Sequence, residues 1–147
     1  MPPAGEPVRV VLDTNVVVAA LLWDGIPRQL LEALAADPFV TLASSPQLLA
    51  ELDRVLVKPQ LTERFRLLSL TSRQVIARYA RLVTIVTPQS VARVVEADAD
   101  DDHVLALAVA AKAAFIVSGD RAHLLPSGSY AGIAIITPRE AMAVFHS

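Results

Sequence analysis

Three acids, far apart in the chain, stand where an ion-assisted reaction would need them. Asp13 ends the run VRVVLD, Asp102 opens DHVLALAVAAKA, and Asp120 ends AFIVSGD. Around Asp102 the acids crowd. The segment EADADDD holds five carboxylates in seven residues, Glu96, Asp98, Asp100, Asp101 and Asp102, directly before an apolar stretch. An acid at a helix N-terminus stabilises the helix dipole by about 0.3–1 kcal/mol, and Asp100 or Asp101 could serve as the N-cap. That accounts for one or two carboxylates. The excess repels itself unless a cation neutralises it. Taken singly, Asp13 reads better as a helix cap and Asp120, after Gly119, as a turn residue. Taken together, they point to a metal site.

The donor types choose among metals. The chain has no cysteine and only three scattered histidines, His103, His123 and His146, which read as surface residues. Zinc is therefore poorly supported. Oxygen-only ligands suit Mg²⁺ or Mn²⁺. Asp98, Asp100 and Asp102 also match the start of a calcium loop. However, its sixth position holds His103 instead of Gly and its twelfth Val109 instead of Glu, so that motif fails.

The elements that must position these acids alternate. Short β-branched runs at 8–13, 39–44, 83–88, 114–120 and 133–138 read as strands. Helical spacing covers 15–23, 25–38, 45–56, 60–69, 72–82, 102–113 and 138–145. Residues 128–130 read as a loop. The alternation predicts an α/β fold with a largely parallel sheet. In such sheets, sites gather outside the carboxyl ends of the strands. Asp13 and Asp120 fall there, and Asp102 begins a helix. In helix 45–56, Glu51 and Asp53 lie at opposite margins of the stripe formed by Leu48, Leu52 and Val55, and spacing does not choose between them.

Charge distribution adds a second feature. Between Arg54 and Arg81 lie seven basic residues, Arg54, Lys58, Arg64, Arg66, Arg73, Arg78 and Arg81, against the single acid Glu63. That segment carries +6 and the remainder −8, for a net charge of −2. It reads either as a surface for an anionic partner or as a solvated helical face. The 147 residues fit one domain, 1–147, with 1–7 as a flexible tail. No run reaches the roughly 18 apolar residues of a membrane span. The start MPPAGEPVRV lacks a secretory pattern, so a cytoplasmic protein is expected. Phosphate-binding glycine loops and the G-x-S-x-G of serine hydrolases are absent. Phosphoryl-transfer enzymes of the haloacid-dehalogenase type want a second Asp where Asn15 stands.

The motifs VVLDTNVVVAALL, LLAELDRVL, DADDDHVLALAVAAKAAFIVSGD and IITPREAM, in this order, resemble the PIN-domain proteins. Within that family they resemble the VapC-like toxins of prokaryotic toxin–antitoxin systems. The resemblance implies a three-layer α/β/α sandwich with a parallel five-stranded sheet and Mg²⁺- or Mn²⁺-dependent endonucleolytic cleavage, usually of RNA. It places the family's acids on Asp13, Glu51, Asp102 and Asp120, choosing Glu51 over Asp53. Asp13, Asp102 and Asp120 would hold metal. Thr14, Asn15 and Ser118 would support them, and Asp101 would share the role of Asp102. Arg54, Lys58, Arg64, Arg66, Arg73 and Arg78 become candidates for holding RNA phosphates. A cognate antitoxin and a homodimer are the partners implied, with Trp23, Ile26 and the helices at 60–82 offering apolar surface. A processing nuclease without an antitoxin, or a PIN fold that only binds, are the alternatives.

Overall fold

The computed structural model describes residues 7–88, 99–119 and 129–145, with residues 99–102 described by backbone alone. The proposed N-terminal tail therefore lies almost wholly outside the described residues. So do Glu96, Asp98, Asp120, His123 and His146, and the side chains of Asp100, Asp101 and Asp102.

The chain alternates as its periodicity predicts. Strand β1 (Val8–Leu12) leads into helix α1 (Thr14–Leu22), then α2 (Ile26–Ala36) and β2 (Val40–Ser44). Helix α3 (Pro46–Leu56), a 3₁₀ turn (Pro59–Leu61), α4 (Thr62–Leu68) and α5 (Ser72–Ala80) precede β3 (Val83–Ile85). Helix α6 (Ala99–Ala110) precedes β4 (Phe115–Val117). A hairpin of β5 (Ser129–Tyr130) and β6 (Ile133–Ile136) leads to α7 (Pro138–Phe145).

These strands form one sheet in the order β3-β2-β1-β4-β6-β5. All pairings are parallel except β5 with β6. The sheet thus has six strands where five were expected. The extra strand lies in the segment read as a loop. Tyr130 opposes Ile133 across Ala131 and Gly132, whose φ values of 52° and 80° make a two-residue hairpin turn. Two residues are too few for an alternating pattern, and the turn lacks the usual Asn-Gly signal.

Both faces of the sheet are buried, which makes the fold a three-layer sandwich. Along β1, Val10 and Leu12 join one core with α1, α2, α3 and α5, while Val11 joins another with α6. Val117 and Ile116 divide in the same way on β4. Local capping follows the sequence closely. The Ser45 hydroxyl accepts from Leu48 N at 3.2 Å and caps α3. Thr71 and Gln74 form a capping box on α5.

Helix α6 ends by a different device. Ala113 N donates to Ala108 O and Lys112 N to Val109 O, with Lys112 left-handed at φ 54°. This is the helix stop that normally uses glycine. It returns the chain directly into β4, so α6 runs antiparallel to the strands and starts at their carboxyl edge. Lys112 is exposed and the left-handed conformation costs a lysine energy that glycine avoids. Lys112→Gly should therefore raise Tm, by about 1–3 °C from a relief of several tenths of a kcal/mol. Thermal denaturation checks it, and an unchanged or lower Tm would contradict the assigned stop.

Candidate active site

The strand order reverses at β1. From β1 the chain moves outward through β2 to β3, and β4 then returns to the other side of β1. The crevice at such a switch point is where open parallel sheets place ligands. Asp13 follows β1 and Ser118 follows β4, so both stand at its mouth. Asp13 N donates to Val117 O at 2.9 Å, and Ser118 N donates to Ile136 O at 2.9 Å. The backbone on both sides of the crevice is thereby fixed to neighbouring strands.

Asp13 occupies the N-cap position of α1, yet its side chain caps no backbone N–H of that helix. Instead it accepts a hydrogen bond at 3.1 Å from the Ser118 hydroxyl. The helix-cap reading of Asp13 therefore does not account for its carboxylate. Ser118 is fully buried and Asp13 half-buried. Next in the chain, the buried Thr14 donates its hydroxyl proton to Glu51 Oε2 at 2.7 Å. This bond ties α3 to the first residue of α1. It also separates the two acids that helical spacing left open. Glu51 is half-buried and faces α1, whereas Asp53 is exposed and lines a groove with Ser72, Arg73 and Ile76. Asn15, the second residue of α1, is exposed.

The backbone of Asp101 and Asp102 lies in the first turn of α6, at the carboxyl edge of the sheet as Asp13 does. Asp120 follows Gly119 just beyond β4, outside the described residues. Among the described residues, no three His, Cys, Asp or Glu side chains gather into a metal-binding group. The described part of the site thus supplies two carboxylates and two hydroxyls. This oxygen-only donor set is of the kind that Mg²⁺ or Mn²⁺ accepts.

The far end of α1 explains part of the basic segment. This helix has no polar face: Val16, Val17, Val18, Ala20, Leu21 and Leu22 are all buried. Its last carbonyls need donors. Arg28 donates to Ala20 O at 3.0 Å and to Leu21 O at 2.9 Å, and Arg64 Nε donates to Leu22 O at 2.6 Å. The Arg64 guanidinium also lies 5.3 Å from the ring centre of Trp23. Sequence reasoning missed Arg28, because nothing in its spacing marks a side chain that reaches back across a turn. Arg66 pairs with Glu63 at 3.0 Å in an exposed contact of little energetic weight.

The remaining cations do not share one face. Arg73 lies in the groove between α3 and α5, and Arg78 in another with Ala20, Leu21, Arg28, Leu31 and Glu32. Arg54 and Lys58 are exposed near the end of α3. Arg64→Ala should therefore destabilise the fold by about 1–2 kcal/mol, through loss of a charged hydrogen bond and of packing on Trp23. Arg73→Ala should leave denaturant midpoints within about 0.5 kcal/mol of the parent. Equal midpoints for the two variants would remove the capping role of Arg64.

The comparisons with known proteins agree with this architecture. Ten chains of solved structures match the fold. One belongs to the crystal structure of VapBC2 from Rickettsia felis bound to a DNA fragment from their promoter. It aligns with a TM-score of 0.62 and 17% identity over 88% of this chain and 98% of that one. Among curated proteins none matches. A PIN-domain family model matches residues 9–122, from β1 through α6 and β4 to just past Asp120. With that match spanning most of its length, the chain belongs to the PIN-domain family.

Proposed function

We propose that the chain is a Mg²⁺- or Mn²⁺-dependent endoribonuclease that cuts single-stranded RNA and acts as the toxin of a toxin–antitoxin pair. One observation carries the proposal. Asp13 and Glu51 stand at the switch-point edge, and each is oriented by a hydroxyl, from Ser118 and Thr14 respectively. Asp13 would hold the ion together with Asp102 and Asp120, with Asp101 sharing the role of Asp102. A divalent ion bound there would neutralise the phosphate, polarise its oxygen and acidify a bound water. Glu51, held through Oε2, would align the attacking water and accept its proton. Ser118 and Asn15 would orient the carboxylates and their water shell. Lys58, Arg73 and Arg78 would contact flanking phosphates. Arg54, Arg64 and Arg66 fit that task less well, because each already has a partner.

An antitoxin partner follows the pattern of the VapBC2 neighbour. It would cover apolar surface such as the exposed Trp23 and the groove lined by Leu21, Leu31 and Leu82. A second copy of the chain would cover further exposed residues such as Phe39. No described helix is long and apolar enough to cross a membrane, and we place the protein in the cytoplasm, where its RNA substrate is found.

Purified protein should cleave single-stranded RNA with Mg²⁺ or Mn²⁺ and stop on addition of EDTA. Asp13→Asn and Glu51→Gln should each remove nearly all of the rate. Cleavage that survives EDTA would reject the mechanism. No cleavage at all, with RNA still bound, would leave a PIN fold that only binds. Arg73→Ala should weaken binding alike across sequences and reduce the salt slope by roughly 0.7.

The acids predict a thermal signature as well. Like charges at close range disfavour the metal-free fold. Mg²⁺ or Mn²⁺ should raise Tm, with a stabilisation of about 2.7 kcal/mol at a hundredfold excess over the dissociation constant. Asp102→Asn should raise the metal-free Tm and blunt the response to metal. A metal-free variant that melts well below the parent would make Asp102 a helix cap.

A further inference from the structure

Behind the Thr14–Glu51 bond lies a cavity of about 10 Å³, lined by three hydroxyl-bearing residues, Thr14, Ser44 and Tyr79, and by Leu12, Val17 and Leu48. This volume corresponds to a single water site. The three residues come from α1, the end of β2 and α5, and each is almost fully buried, at 4%, 2% and 3% exposure. Thr14 has committed its proton to Glu51. The side-chain hydroxyls of Ser44 and Tyr79 have no partner among the described residues. Buried hydroxyls almost always bond to protein or to ordered water, because an unmade bond leaves their desolvation uncompensated. Desolvation also pushes the Tyr79 phenol well above its usual range, so it remains a donor at any pH at which the fold works.

We propose that this cavity binds one ordered water that joins Tyr79 and Ser44 to Thr14, which makes Tyr79 a positioning residue for Glu51. One arrangement uses each hydroxyl proton once. Tyr79 and Ser44 donate to the water, the water donates to Thr14 Oγ1, and Thr14 donates to Glu51 Oε2. Three bonds are the usual complement of a buried water. All point the same way, toward the carboxylate, and such chains strengthen each member. Tyr79 itself touches no reacting atom and acts only through Thr14. Leu48 and Leu52 of α3 wall the same cavity, so it borders the helix that carries Glu51.

The positioning role rests on the nuclease reading, whereas the water does not, and the test separates them. Tyr79→Phe, Ser44→Ala and the double variant are melted without metal and assayed on single-stranded RNA with Mn²⁺. Tyr79→Phe keeps the ring and removes only the hydroxyl. It should lower Tm by about 2–4 °C. The double variant should melt no lower than the worse single variant, because both hydroxyls hold one water. The Tyr79→Phe and Ser44→Ala variants should each lose kcat several-fold with KM unchanged, since an intermediate hydroxyl serves the chemistry and not RNA binding. An unchanged or raised Tm for Tyr79→Phe, or additive losses in the double variant, overturns the water. Coupled losses in Tm with parental kcat overturn the positioning role. A parent that cleaves no RNA refutes the nuclease reading, and the melting cycle then decides the water alone.

Discussion

A helix that is apolar on every side cannot leave its ends to chance. Helix α1 is such a helix, buried between the sheet and the helices packed on it. Water cannot reach most of its surface, so the groups that satisfy its termini must come from the protein. At its C-terminus two arginines from two different helices take the last three carbonyls. Their charge also suits the negative end of the helix dipole. At its N-terminus stand Asp13 and Thr14, whose side chains turn to Ser118 and Glu51. Anchoring the C-terminus with cations thus fixes α1 along its axis, and the opposite end becomes a rigid mount. Displacing Arg64 would move the mount as well as the cap.

The sheet was legible because β-branched runs of six or seven residues separated by helical spacing have few other readings. The carboxyl-edge placement of Asp13 followed from it directly. Glu51 was legible only in part. Its helical phase put it at a margin of the stripe, as it did Asp53, and the deciding contact is with Thr14, far away in sequence. The two-residue strand β5 was not legible. Nor was the role of Arg64, because a local surplus of cations looks the same whether it faces solvent, a phosphate or a carbonyl. The charge count described the segment correctly and its surface poorly: it divides among a helix cap, an exposed ion pair and two separate grooves.

The choice of hydroxyls at the site has a physical reason. A carboxylate can be oriented by a cation or by a neutral donor. A cation cancels the charge it orients and competes with any ion the carboxylate is meant to hold. A serine or threonine hydroxyl fixes the rotamer and leaves the formal charge intact. Ser118 and Thr14 do this from buried positions, where a short side chain has little freedom to wander and a hydrogen bond is stronger than in water. The geometry then depends on what holds the hydroxyls and the carboxylates in place. The strand-end hydrogen bonds of Asp13 and Ser118 and the packing of α1 supply that restraint. Backbone rigidity at this edge thus sets where the Asp13 carboxylate stands, and the Ser118 hydroxyl sets how it is turned.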